Sequence, residues 1–251
     1  MCVNPSLFRL VTVILLAAGV SGGGEFTDFR YLDVPGNLID AHVNDSGDVF
    51  LLMRGLPHLT IISPDGSADE FDLEDIVIPG GMCVDRGWGW FVTGEVTDMV
   101  YRYHRSGELM ESRGSAGLPG DITLAGLSVL YVSRADGTVR SLYDPDAEIA
   151  GLEGSGEGQL TSLGSGAVYS GPDGSMIIGE FRIPEPLPDA GSWTARGNLP
   201  VVLRDSCVCQ RDGTELLRLP SGSRFSRVSF SDTGSRCLLW SPGEDRVLVA
   251  E

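Results

Sequence analysis

Lysine is missing from this chain: all 18 basic side chains among its 251 residues are arginine. That excludes a Schiff-base lysine, a phosphate-loop lysine and a lysine general base. Histidine is scarce as well, and His42, His58 and His104 share no motif. A zinc centre gathers several imidazoles or thiolates, and a Ser-His-Asp site pairs one imidazole with a positioned nucleophile; the spacing supports neither. Cysteine is too sparse for a disulfide-framed scaffold. The apolar run Leu10–Val20 falls short of the ~20 residues that span a bilayer. Net positive charge is lacking too: at −17, with an isoelectric point near 4.4, the chain repels nucleic acid and anionic membrane surfaces and favours cationic partners.

What is present begins with a leader. Arg9, the apolar run and the small residues from Ser21 to Gly24 read as a secretory signal peptide over residues 1–22. The expectation is a single domain over residues 25–251 in a secreted or periplasmic protein, monomeric and without stable membrane insertion after cleavage. No cysteine follows the run to carry a lipid.

The domain is a repeat. In the stretch from Ile78 to Arg113, a Pro-Gly bend leads into an apolar run, a glycine-rich turn, a second apolar run, an acidic loop, a Tyr-rich run and a Ser-Gly-Glu turn. Shifted back by 41 residues, Val43 falls on Val84, Phe50 on Phe91 and Gly66 on Gly107; shifted forward by 40, Leu124, Tyr131 and Tyr143 fall on Val84, Phe91 and Tyr103. Runs rich in Val, Ile, Leu, Tyr and Phe between Gly, Asp and Ser clusters signal consecutive strands. Four strands in about 40 residues is the length of a propeller blade. The expected fold is therefore an all-β propeller of four-stranded antiparallel blades. Five units are counted, with a sixth, diverged blade left open. The last unit lacks a fourth strand, and Asp28–Val34 stands spare ahead of the first, so the N-terminal strand is expected to close the ring. The fourth unit carries about 20 surplus residues, assigned to an insertion over residues 183–200 that holds Trp193.

The Pro-Gly bend, the first strand ending in Asp85, the Trp90 to Thr93 strand and the Tyr101, Tyr103, Ser106, Gly107, Glu108 pattern resemble the NHL-type repeat of β-propellers. The resemblance is good from Val34 to Gly154 and weaker beyond. It implies six blades and a fold shared by extracellular lyases, lactonases and interaction platforms. The metal-binding set of the lactonase relatives has no counterpart that can be placed here.

Ligands meet a propeller where the loops from fourth to first strand and from second to third strand converge. Asp40 and Asp121 stand in the first set; Glu95, Asp98, Asp136, Glu180, Glu244 and Asp245 are assigned to the second. They form either an acidic mouth suited to calcium or another divalent cation, with Asp40 and Asp121 as candidate ligands, or solvated turn carboxylates. Arg54, Arg134, Arg182 and Arg246 are expected to pair with them. His58 is the loop histidine and a candidate ligand contact. Trp193 and Arg196 are either an exposed recognition anchor or, for Trp193, a cap folded back over the ring. Cys207 and Cys209 share a strand face, which suits buried thiols, a bridge to Cys237 or a soft-metal chelate. The expected function is a non-enzymatic binding module for a protein, peptide or carbohydrate, with no required cofactor, using Trp193, Arg196, His58, Glu95, Asp98 and Glu180. The alternative is a metal-assisted hydrolase or lyase with an acidic site on the axis.

Overall fold

The apolar runs are short, rich in β-branched and aromatic residues, and separated by turn residues that reverse the chain, so each run pairs with the next. The computed structural model describes residues 13–14, 26, 28–34, 37–85, 89–152, 156–179, 184–188 and 191–251, and every regular element among them is a strand. They form six antiparallel sheets. Blade I comprises Leu38–Val43, Val49–Met53, Leu59–Ile62 and Ala68–Phe71. Blade II comprises Pro79–Asp85, Gly89–Gly94, Met99–His104 and Leu109–Gly114. Blade III comprises Pro119–Ala125, Ser128–Ser133, Thr138–Ser141 and Asp144–Gly151. Blade IV comprises Gln159–Leu163, Gly166–Gly171, Gly174–Ile178 and Glu185–Leu187, and blade V comprises Ser192–Arg196, Leu199–Arg204, Cys207–Gln210 and Glu215–Arg218.

Blade VI joins the two chain ends. Arg227–Phe230, Cys237–Trp240 and Arg246–Ala250 supply three strands, and Phe29–Asp33 pairs with the last of them from Phe29 opposite Ala250 to Asp33 opposite Arg246. The spare N-terminal strand thus closes the ring as expected. Val13–Ile14 adds two residues against Tyr31 and Leu32 on its outer edge; the rest of the expected leader lies outside the described residues.

The count of five is corrected to six. Inner strands begin at Leu38, Pro79, Pro119, Gln159, Ser192 and Arg227, so the spacing holds through the fourth blade and then contracts. The supposed insertion is the junction between blades IV and V: Glu185–Leu187 is an outer strand and Ser192–Arg196 an inner one. Val168 and Tyr169 lie on the second strand of blade IV. Pro186 is tolerated in a three-residue edge strand because an edge leaves half the backbone donors unused.

Six apolar clusters fill the six junctions between neighbouring blades, from Trp240, Leu32 and Leu51 between blades VI and I to Trp193, Val168 and Cys209 between blades IV and V. Second strands such as Val49–Met53 and Gly89–Gly94 are buried at every position because both faces pack on a neighbour. We call the end where inner strands begin the upper face; it carries the crossings between blades and the loops from second to third strand.

Candidate functional site

Side chains alternate along each inner strand, so every second residue shares one side of it. At the upper end these are Asp40, Gly81, Asp121, Gln159, Ser192 and Arg227; the next level down holds His42, Cys83, Thr123, Thr161, Thr194 and Ser229. Asp40, Asp121 and Gln159 are buried. The two aspartates brace adjacent blades. Asp40 accepts the Ala41 amide at 2.8 Å and the Met82 amide of blade II at 2.9 Å. Asp121 accepts the Ile122 amide at 3.0 Å and the Leu160 amide of blade IV at 2.6 Å. Gly81 makes room for this: a Cβ there would lie 2.6 Å from Asp121 Oδ1 and 2.8 Å from Asp121 Cα. Gln159 Nε2 donates across to Val228 O at 3.0 Å, leaving its buried Oε1 without a partner.

The charges are coupled. Burial and the Asp40 carboxylate push Asp121 up to about 7, against the opposing pull of Arg227. Burial also works to raise Asp40, but His42 at 3.3 Å, with Arg227 and the Met82 amide, holds it below the ordinary carboxylate value. Burial works to lower His42, and Asp40 and Asp121 together outweigh it and raise it. The axis can therefore hold a proton on Asp121 near neutrality, yet both carboxylates are already bound to backbone amides. Calcium takes six to eight oxygens; among the described residues no three His, Cys, Asp or Glu side chains are arranged to hold a metal ion. Asp40, Asp121 and His42 come together, while Glu95 does not join them.

Glu95 lies on the upper face instead, in an ion pair with Arg134 of blade III. Asp98 is two loops' brace: its backbone oxygen accepts the Ser115 amide at 2.8 Å and its Oδ1 accepts the Leu118 amide at 2.7 Å. His58 is 7% exposed and its Nδ1 accepts the Leu73 amide at 3.1 Å; burial lowers it, in keeping with a neutral ring acceptor. Arg246 pairs with Asp33, and Asp136 with Arg140. Glu180 and Arg182 fall outside the described residues. Trp193 is 2% exposed on the inner strand of blade V, its Nε1 donating to Pro188 O at 2.9 Å, so it is a packed core residue and not an exposed anchor. Arg196 ends the same strand at the lower face, where it donates to Gly234 O at 2.9 Å and lies over the Phe26 ring. A bridge from Cys207 or Cys209 to Cys237 is overturned: the four described cysteines are free, and Cys237 packs in the junction on the other side of blade V.

Sequence reasoning missed the apolar side chains on the upper face. Leu56, Val77, Val96 and Leu118 are 69%, 65%, 61% and 47% exposed. They sit on four successive loops of blades I to III, and hydrogen bonds to backbone amides link these loops. The His58 loop holds Leu73; Glu95 N donates to Ile78 O at 2.9 Å; Asp98 holds Ser115 and Leu118. Exposed Asp72, Glu74, Asp75 and Asp98 stand among them. Asp98 and Leu118 are the non-glycine residues with positive φ, at 51° and 32° among the described residues. A bulky residue there is strained, so Leu118 is displayed at a conformational cost. The available signal was an apolar residue inside a turn-rich loop, beside carboxylates in the loops of Val77 and Val96, overlooked because the Pro-Gly bends after Ile78 and Leu118 account for that stretch as scaffold.

No protein-family model and no curated relative matches this chain, so the NHL resemblance rests on its repeat pattern. Solved structures do match. A gluconolactonase from Xanthomonas campestris aligns at 15% identity over 96% of this chain and 94% of that one, with a TM-score of 0.66. A virginiamycin B lyase from Staphylococcus aureus aligns at 11% identity over 89% of this chain and 98% of that one, at 0.61. The Pan2 WD40 domain of Neurospora crassa aligns at 12% over 85% and 74%, at 0.54. At these identities the likeness is one of fold, and that fold is a β-propeller.

Proposed function

We propose that this chain is a binding propeller that captures a protein segment on its upper face, around Leu56, Val77, Val96 and Leu118. One observation carries the reading: four large exposed apolar side chains occupy successive, hydrogen-bonded loops of one face, among carboxylates. Contiguous exposed apolar surface with a polar rim is the usual mark of an interaction site. Asp72, Glu74, Asp75 and Asp98, on a chain of charge −17, favour a segment with an apolar anchor flanked by Arg or Lys. His58, Glu95 and Asp98 act in this reading by setting the loops.

Selection from a random peptide library tests it. Recovered peptides should carry an apolar residue beside basic ones, and Val96→Arg should weaken them about tenfold or more, since one buried aliphatic side chain contributes ~1.5–3 kcal/mol. Binders indifferent to Val96→Arg and Leu56→Arg would overturn the proposal.

A second reading has its own support. Asp121 holds a proton near neutrality beside His42, a pattern common at catalytic centres, and two of the neighbours above are enzymes. It requires turnover of a gluconolactone or of virginiamycin B that Asp121→Asn abolishes. Equal rates with and without the wild-type chain, divalent cations included, would rule out both substrates.

A further inference from the structure

Cys207 and Cys209 open the third strand of blade V and lie away from the upper-face patch. On a strand, side chains two apart share a face but stand well separated; here the two sulfurs converge to 3.1 Å. Cys207 is half-buried, directly below the turn that joins it to Arg204, while Cys209 is buried among Trp193, Leu187 and Val202 between blades IV and V. We propose that this thiol pair is a binding site for one soft monovalent cation, Cu(I) or Ag(I).

The donor set selects the ion. Thiolates favour soft metals, and zinc in a structural site asks for four ligands. The other described thiols are distant: Cys83 packs between blades II and III and Cys237 between blades V and VI. Among the described residues no third His, Cys, Asp or Glu joins the two sulfurs, which suits a d¹⁰ ion that accepts two-coordination, with the half-buried Cys207 turning outward so that the sulfurs part to opposite sides of the ion. Binding replaces two S–H bonds with two metal–sulfur bonds and releases two protons, with no change of oxidation state, so the bis-thiolate complex carries one negative charge. In the sheet register Arg204 and Arg218 stand opposite Cys207 on its two sides, and Glu215, opposite Cys209, is paired with Arg218 at 2.9 Å, so the cationic side chains on this face offset its one carboxylate and the complex's charge. The half-exposed Cys207 gives the ion an entry from solvent, whereas the inner wall of apolar side chains would exclude water from the bound ion.

The test is titration of the reduced chain with Cu(I) under anaerobic conditions against bathocuproine disulfonate. One equivalent should be retained, with about two protons released per ion and two sulfur neighbours in the X-ray absorption spectrum. Cys207→Ser and Cys209→Ser should each lose that equivalent, while Cys83→Ser keeps it; circular dichroism confirms that each variant is folded. If Cys209→Ser fails to fold, alkylation of Cys207 in the wild-type chain gives the same readout. Transfer of all copper to the chelator by the wild-type chain, or retention that survives Cys207→Ser or alkylation, would overturn the site.

Discussion

Asp121 and His42 release their protons over neighbouring pH ranges, and for both the folded chain binds the proton more tightly than the unfolded one. The contribution of His42 is whole below its ordinary value of 6.5 and is lost as pH rises through its raised one. Asp121 acts in the same direction: as pH climbs from its ordinary 3.8 towards about 7, the unfolded chain ionises freely while the folded chain resists. Asp40, held low, contributes stability above its ordinary 3.8 that disappears in stronger acid. Urea unfolding should therefore show stability greatest near pH 5 and declining by about 1 to 4 kcal/mol at pH 8. Asp121→Asn should shrink that decline. A rise in stability from pH 5 to pH 8 would mean that the axial charges are arranged otherwise. The positions of Asp40 and Asp121 at the head of inner strands were legible in the sequence; that backbone amides of the next blade would occupy them was not, because the acceptor and donor lie about 40 residues apart.

At the scale of the element, the N-terminal strand bears on whether the ring stays shut. Leu32 is fully buried in the junction of blades VI and I, and Leu32→Ala should cost about 2–5 kcal/mol in thermal or denaturant unfolding. An effect under 0.5 kcal/mol would indicate that the closing strand is dispensable. The upper loops carry the opposite expectation. Leu118→Gly removes a side chain from a left-handed backbone conformation and should stabilise the fold by about 1 kcal/mol while weakening partner binding. Stabilisation without loss of binding would remove Leu118 from the site. Strands were legible wherever apolar runs met glycine turns, as in Met99–His104, and so was the borrowed strand, because the last unit lacked one. The boundary between blades IV and V was not legible. Its outer strand is three residues long and contains Pro186, its inner strand starts early, and the two together look like an insertion carrying a tryptophan.

For the whole molecule, six apolar junctions hold a ring whose surface charge is strongly negative, so the partner of the upper face should bind by apolar contact and be drawn in by charge. Its association rate should fall as salt rises from 50 to 500 mM, with a smaller change in dissociation rate. An association rate insensitive to salt would leave the acidic rim without a part in recognition. The most direct measurement is a hydrogen-exchange footprint of a selected basic-apolar peptide on the wild-type chain. Exchange should slow across residues 54–58, 73–78, 95–98 and 115–118, with no footprint for Val96→Arg. Slowed exchange confined to the inner strands around Asp40 and Asp121, or to the lower face around Arg196, would contradict binding at the upper face.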